Sequence, residues 1–173
     1  DAQVGRLINA LDKSPHAKKT IVVLWSDHGM HLGEKQQWEK FTLFEEATRV
    51  PLIVIAPGVT QAGSVCSRPV SLLDVYPTLN ELCSLPKGDD LDGLSLVPLL
   101  RNPQAERERP AVTTWGKDNH AARGRRYRYI RHPDGTQQLY DHKVDPNEWN
   151  NLAGDPQFAD VIASHRKWLP KSE

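Results

Sequence analysis

Asp27 and His28 stand side by side directly after the apolar run at residues 20–25 (TIVVLW), and Gly29 follows them. A carboxylate in that place suits a hard divalent cation, which takes oxygen ligands. The imidazole beside it can act as a further ligand, as an acid or base, or as a donor to an oxyanion. Gly29 lets the chain turn sharply, so that both side chains face one crevice. A structural reading of the same residues has Asp27 capping the turn and His28 half buried. Lys40 comes thirteen residues after Asp27 and can fold back over that crevice to hold an anion. His31, Glu34, Lys35 and Glu39 lie between them, and His31 can as easily point at solvent.

These residues need elements to hold them. Residues 20–25 form a short, continuous apolar run rich in β-branched side chains. Such a run predicts a strand buried on both faces, as in a parallel sheet flanked by helices. Ligand sites in open α/β sheets form outside the carboxyl ends of the strands, where Asp27 and His28 fall. Residues 50–56 (VPLIVIA) predict a second strand, with Pro51 at its first position or at an edge. Residues 41–48 between them predict about two helical turns. Val4, Leu7, Ile8 and Leu11 recur at helical spacing over residues 2–12, before the stop at Ser14-Pro15. A further helix begins near residues 75–77, with Pro77 in its first turn.

The polar, Pro-flanked stretch at 101–110 is the expected boundary. Beyond it, residues 111–115, 125–131 and 137–140 are strand-like, and Pro133-Asp134-Gly135 has the chemistry of a tight turn. Val161, Ile162, His165 and Trp168 predict a closing helix. The order implies an α/β part over residues 1–105, then a small antiparallel-sheet subdomain with a closing helix over 106–173.

Composition narrows the function classes. The 22 Lys+Arg balance 22 Asp+Glu, which argues against a nucleic-acid binder, since such proteins carry a basic excess. The arginines at 123, 125, 126, 128 and 131 would be split by strand alternation onto two faces of a solvated sheet. No apolar stretch approaches the about 18 residues of a membrane span. Cys66 and Cys83 are too few for a disulfide scaffold and form no CxxC pair. The chain opens on Asp1 in what reads as the middle of a helix, and a fragment is expected.

The segment SDHGMHLGEKQQWEKFTLFEEATRVPLIVIAPG resembles the sulfatase family, and within it the iduronate-2-sulfatase-like branch. Pro69 through Leu79 (PVSLLDVYPTL) is similar to the family's "lD-x-yPTl" element. Leu139-Tyr140-Asp141, Asp145-Pro146, Glu148 and Asn151-Leu152-Ala153 resemble its C-terminal signature. The resemblance implies the C-terminal part of an alkaline-phosphatase-like α/β sandwich, acting on sulfate esters, with a sulfated carbohydrate as substrate. It implies Asp27 and His28 as metal ligands, for calcium or magnesium, and Lys40 as the lysine on the sulfate. His28 stands where many members carry Asn; the iduronate-type branch carries His there.

His120 and Arg123, in a loop ahead of the RYIR strand, are candidates to read the sugar or its carboxylate. The structural alternative is a surface loop whose histidine pairs with a backbone carbonyl. The family's formylglycine nucleophile, made from a Cys or Ser, has no matching motif here; Cys66-Ser67-Arg68-Pro69 has the letters in the wrong order. Nucleophile and second metal-ligand pair are expected in an N-terminal part, so this chain alone is predicted inactive. A periplasmic or secreted location is what the family implies; the chain carries no targeting signal that would decide it. A phosphonate or phosphate ester hydrolase of the same superfamily, or a non-catalytic sulfated-glycan-binding module, is the alternative.

Overall fold

Consecutive residues in the C-terminal half are apolar in pairs, and the architecture explains why. In the computed structural model, which describes residues 1–171, this half forms a four-stranded antiparallel meander. Its strands are β3 (Ala111–Thr114), β4 (His120–Arg123), β5 (Tyr127–Arg131) and β6 (Gln137–Asp141), in sequential order. Neighbouring residues on a strand point to opposite faces. Ala122, Tyr129 and Leu139 pack on one face against Ile162 and Leu169, beyond which lie Val161 and Phe158. Ala121, Ile130 and Tyr140 pack on the other against Leu43 and Phe44. Both faces are therefore covered, one by helix α5 (Ala159–Arg166), the other by a segment from the first half of the chain.

Strand β4 corrects the sequence expectation of a loop at residues 119–123. Its sequence, HAAR, lacks β-branched residues. Small alanines are used because both faces are approached closely, and each is almost fully buried. The turn at Pro133-Asp134-Gly135 forms as expected, with Gly135 at φ 82° and Asp134 Oδ1 accepting from the Thr136 N–H at 2.9 Å. The C-terminal signature is a clasp on this sheet. Asp141 pairs with Arg126 through two bonds of 2.9 and 2.6 Å. Asp145 accepts from the N–H groups of Trp149 and Asn150, and Asn151 Oδ1 from those of Leu139 and Ala153.

In the first half, α1 (Ala2–Asp12) and α3 (Val75–Leu82) follow the predicted periodicity. β1 (Val22–Trp25) and β2 (Leu52–Ile55) pair with each other, antiparallel, from Val22↔Ile55 to Trp25↔Leu52. The expectation of a parallel pair buried on both faces is thus corrected. A parallel neighbour needs a crossover, usually a helix of a dozen or more residues. The connection here, residues 26–51, carries no such helix, only a helical turn at Glu34–Gln36 and the one-turn helix α2 (Glu45–Thr48), and the chain returns antiparallel. Trp25, Ile53 and Ile55 remain about half exposed. The two helical turns expected at 41–48 shrink to α2 because Leu43 and Phe44 are drawn out into the sheet core.

α4 (Val97–Arg101) leads to residues 106–109, where the sequence places the start of a second unit. Three contacts strap that stretch to the first half. Arg107 Nη2 lies 2.7 Å from the buried Asp74, Arg68 pairs with Glu106 at 2.8 Å, and Arg109 donates to the Asp92 carbonyl. Asp74 also closes a capping box on Ser71 and accepts from the Leu94 N–H, so the "lD-x-yPTl" aspartate is a fold-holding residue. None of the described helices is long and apolar enough to cross a membrane.

Candidate functional site

The loop after β1 is held from below by α2. The Gly29 N–H donates to the Ala47 carbonyl at 2.8 Å. A Cβ on Gly29 would lie 1.9 Å from the Glu46 carbonyl oxygen. Glycine is required here by the close approach of two backbones and not, as the sequence suggested, by a sharp turn; its φ is not among the positive ones.

Above this anchor, Asp27 and His28 line an open cleft of about 2150 Å³ together with Lys40, Phe41, Thr114, Trp115 and Arg123. His28 Nδ1 sits 2.7 Å from the Gly29 carbonyl oxygen, which can only accept, so Nδ1 carries the proton. That assignment leaves a lone pair on Nε2. It faces the Lys40 ammonium at 2.8 Å, which donates to it, and lies 3.4 Å from Asp27 Oδ2. Partial desolvation opposes ionisation of the Asp27 carboxyl. Hydrogen bonds from its own backbone N–H and that of His28, with the nearby ammonium of Lys40, more than offset this and hold it below the usual carboxylate value. Asp27 is 82% exposed, so most of its coordinating capacity remains free.

Of this donor pair, the Asp27 carboxylate suits a hard cation, and the His28 nitrogen is a less usual ligand for one. Two ligands about 2.4 Å from one ion subtend roughly a right angle when 3.4 Å apart, as Oδ2 and Nε2 are. Two donors are fewer than the six to eight that calcium takes. Lys40 is brought back to them by a rigid loop. His31, fully buried, contacts the Glu34 carbonyl at 3.2 Å and the Thr42 hydroxyl at 2.7 Å, and its N–H donates to Glu39 O at 3.0 Å. His31 is a structural histidine and does not point at solvent.

A second charged cluster joins α2 to the sheet. Arg128, 2% exposed, pairs with Glu45, lies 2.5 Å from Glu148 Oε1, and donates to the Leu43 carbonyl at 2.8 Å. Glu148 also contacts His142 Nε2 at 2.8 Å and accepts from the Glu45 N–H at 3.0 Å, capping α2. Burial works against ionisation of both carboxyls, but it is outweighed. Arg128 and then Arg123 hold Glu45 low, and the His142 bond and Arg128 do so for Glu148. Glu45, His142 and Glu148 are close enough together to hold an ion. Two guanidinium groups already fill that role.

His120 and Arg123 are not brought together. Arg123 shares the Ala121 face of β4, lines the cleft and pairs with Glu45 at 3.3 Å. His120 shares the Ala122 face, is 5% exposed, and meets the Thr114 hydroxyl at 2.8 Å through Nδ1. Burial, helped by Arg131, lowers its pKa.

The sulfatase family model matches residues 1–85. A sulfatase of Formosa agariphila is 42% identical over 172 residues, covering 99% of this chain. The chain belongs to the sulfatase family. It spans about a third of the length of the curated relatives it matches, corresponding to a C-terminal part of them. The Delta 4,5-hexuronate-2-O-sulfatase of Bacteroides thetaiotaomicron is 33% identical over 96% of this chain and 37% of its own length. A solved structure in complex with its substrate D-glucosamine-2-N,6-O-disulfate superposes with a TM-score of 0.85, at 29% identity, over 95% of this chain and 36% of that one. The phosphonate monoester hydrolase of Agrobacterium radiobacter gives 0.80 at 28% identity, over 96% and 37%.

For this sulfatase-family chain, sequence reading missed the cluster of Glu45, Arg128 and Glu148. The available signal was Arg128 two residues before Ile130, and so on the same, apolar face of a strand. It also passed over Phe41 and Trp115, whose half-exposed rings lie in the cleft beside Lys40.

Proposed function

We propose that the protein carrying this chain hydrolyses the sulfate esters of a sulfated carbohydrate. The observation that carries the reading is the arrangement of Asp27, His28 and Lys40 at one end of β1, with two metal-type donors 3.4 Å apart and an ammonium 2.8 Å from one of them. Asp27 and His28 would hold a divalent cation, calcium or magnesium, with Asp27 supplying the oxygen donor that such ions prefer. When bound, the cation supplies positive charge for the sulfate oxygens. Lys40, whose ammonium reaches the same end of the cleft, would hold a sulfate oxygen near the leaving group. Asp27 keeps its charge throughout, and the Nδ1 bond to Gly29 O keeps His28 aimed at the cleft. Charge neutralisation of this kind is the main contribution of protein side chains to transfer at a highly charged centre.

The attacking group in this reading is a formylglycine outside the chain, as are the remaining cation ligands. His28, where many sulfatases carry Asn, supports the iduronate-2-sulfatase-like branch. Arg123 faces the cleft and is the cation for a uronate or a second sulfate, while His120 braces the hairpin beneath. The division at residues 105/106 belongs to the same proposal. The test is turnover of a sulfated disaccharide by the full-length protein with and without a chelator. It is paired with the calcium-induced rise in melting temperature, which Asp27→Ala should remove. Metal-dependent sulfate release by the 173-residue chain alone would overturn the division of the site between two parts. The likeness to a phosphonate monoester hydrolase supports a second reading, in which phosphonate esters outpace sulfate esters in the same assay.

A further inference from the structure

Two large aromatic side chains stand beside the proposed sulfate site with much of their surface in solvent. Phe41 is 54% exposed and Trp115 47%. Their ring centroids are 6.1 Å apart with planes at 50°, and both line the cleft that holds Asp27, His28 and Lys40. Lys40 Nζ lies 5.6 Å from the Phe41 centroid, so cation and ring are one continuous surface. Phe41 comes from the first half of the chain and Trp115 from the turn between β3 and β4, and only the fold makes them neighbours.

The turn that carries Trp115 is built to be rigid. Trp115 N–H donates to the Asn119 carbonyl at 2.9 Å, and Gly116 and Asp118 take positive φ of 66° and 56°. Asn119 Oδ1 meets His132 Nδ1 at 3.0 Å, and the Thr114–His120 pair closes the strands below. A fixed aromatic surface costs little ordering entropy when a ligand settles on it. Its apolar ring faces suit a flat partner with C–H groups on one side and polar groups at the edge, which describes a pyranose. An anion on that pyranose would be delivered to Lys40.

We infer that Phe41 and Trp115 form the platform on which the sugar ring bearing the scissile sulfate stacks, making them specificity-determining residues for carbohydrate sulfates. This rests on the sulfatase reading above. Neither residue performs chemistry; both orient the ring whose sulfate Lys40 receives.

The experiment uses the full-length protein and two substrates, a sulfated disaccharide and methyl sulfate, which has no ring to stack. Phe41→Ala and Trp115→Ala should each raise the ratio of KM for the disaccharide to KM for methyl sulfate by about three- to tenfold, the scale of one aromatic contact. Trp115→Phe, which keeps a ring, should recover most of that loss. Titration with the disaccharide should quench a component of the tryptophan emission that is missing in Trp115→Phe. If the variants lower the melting temperature and leave the KM ratio unchanged, the rings serve packing against the rest of the protein and the platform is refuted. A wild type that releases sulfate from neither substrate refutes the sulfatase reading itself. Turnover of both with an unchanged ratio in the variants refutes the platform alone.

Discussion

Two clusters of charge adjoin α2, one through Glu45 and the other through the loop at Gly29, and they are in opposite states. In the buried one, Glu45 and Glu148 are matched by Arg128, Arg123 and His142, and Arg128 is 2% exposed. In the open one, Asp27 is almost wholly solvated and Lys40 donates only to a neutral lone pair. Pairing removes the capacity of a charge to act on anything else. The buried cluster has the composition of a metal site but its carboxylates are already neutralised. The open cluster has fewer groups and keeps them available for a cation and an anion. Chemistry belongs where the charges are uncommitted, and stability where they are fully paired.

The contrast is most exposed to failure at Arg128. Arg128→Met leaves the buried Glu148 and the half-buried Glu45 without their shared guanidinium, and should cost about 3–5 kcal/mol in denaturant unfolding. A cost below about 1 kcal/mol would mean the cluster is not holding α2 to the sheet. Gly29→Ala acts on the link between the clusters, because the new Cβ would meet the Glu46 carbonyl. The Asp27–His28 loop must then shift, and a displacement of about 1 Å should lower turnover about a hundredfold, read as kcat/KM of the full-length protein. Unchanged activity would show that α2 does not position the loop.

Acid sharpens the same comparison. Glu45 and Glu148 titrate below their ordinary 4.5 in the folded protein. Their stabilisation is complete above that value and is lost as pH falls through their lower, folded values. Melting temperature should therefore drop steeply below pH 4.5, and Glu148→Gln should flatten the drop. The smallest expected effect on stability is at the open cluster. Lys40→Ala should change unfolding free energy by no more than about 0.5 kcal/mol, as at an unburdened surface position, while removing turnover. A large loss of stability would make Lys40 a structural lysine.

The helices α1, α3 and α5 and the turn at Gly135 were legible because their signals are local: apolar spacing of 3.6 and turn chemistry. Strand β4 was hidden because its alanines answer to what packs on either face, and its own β-propensity is low. Arg128 was misjudged as solvated because Glu45, which pairs with it, is 83 residues away.

By itself the sequence determined the family and the local elements, since the motifs and periodicities that carry them depend on residue types within a few positions of one another. Only the tertiary structure decided that β1 and β2 run antiparallel and that Gly29 answers to a backbone beneath it. It also split His120 from Arg123 across a strand and set Phe41 beside Trp115. Those are matters of direction, face and close approach between distant segments, and no single stretch of chain contains them.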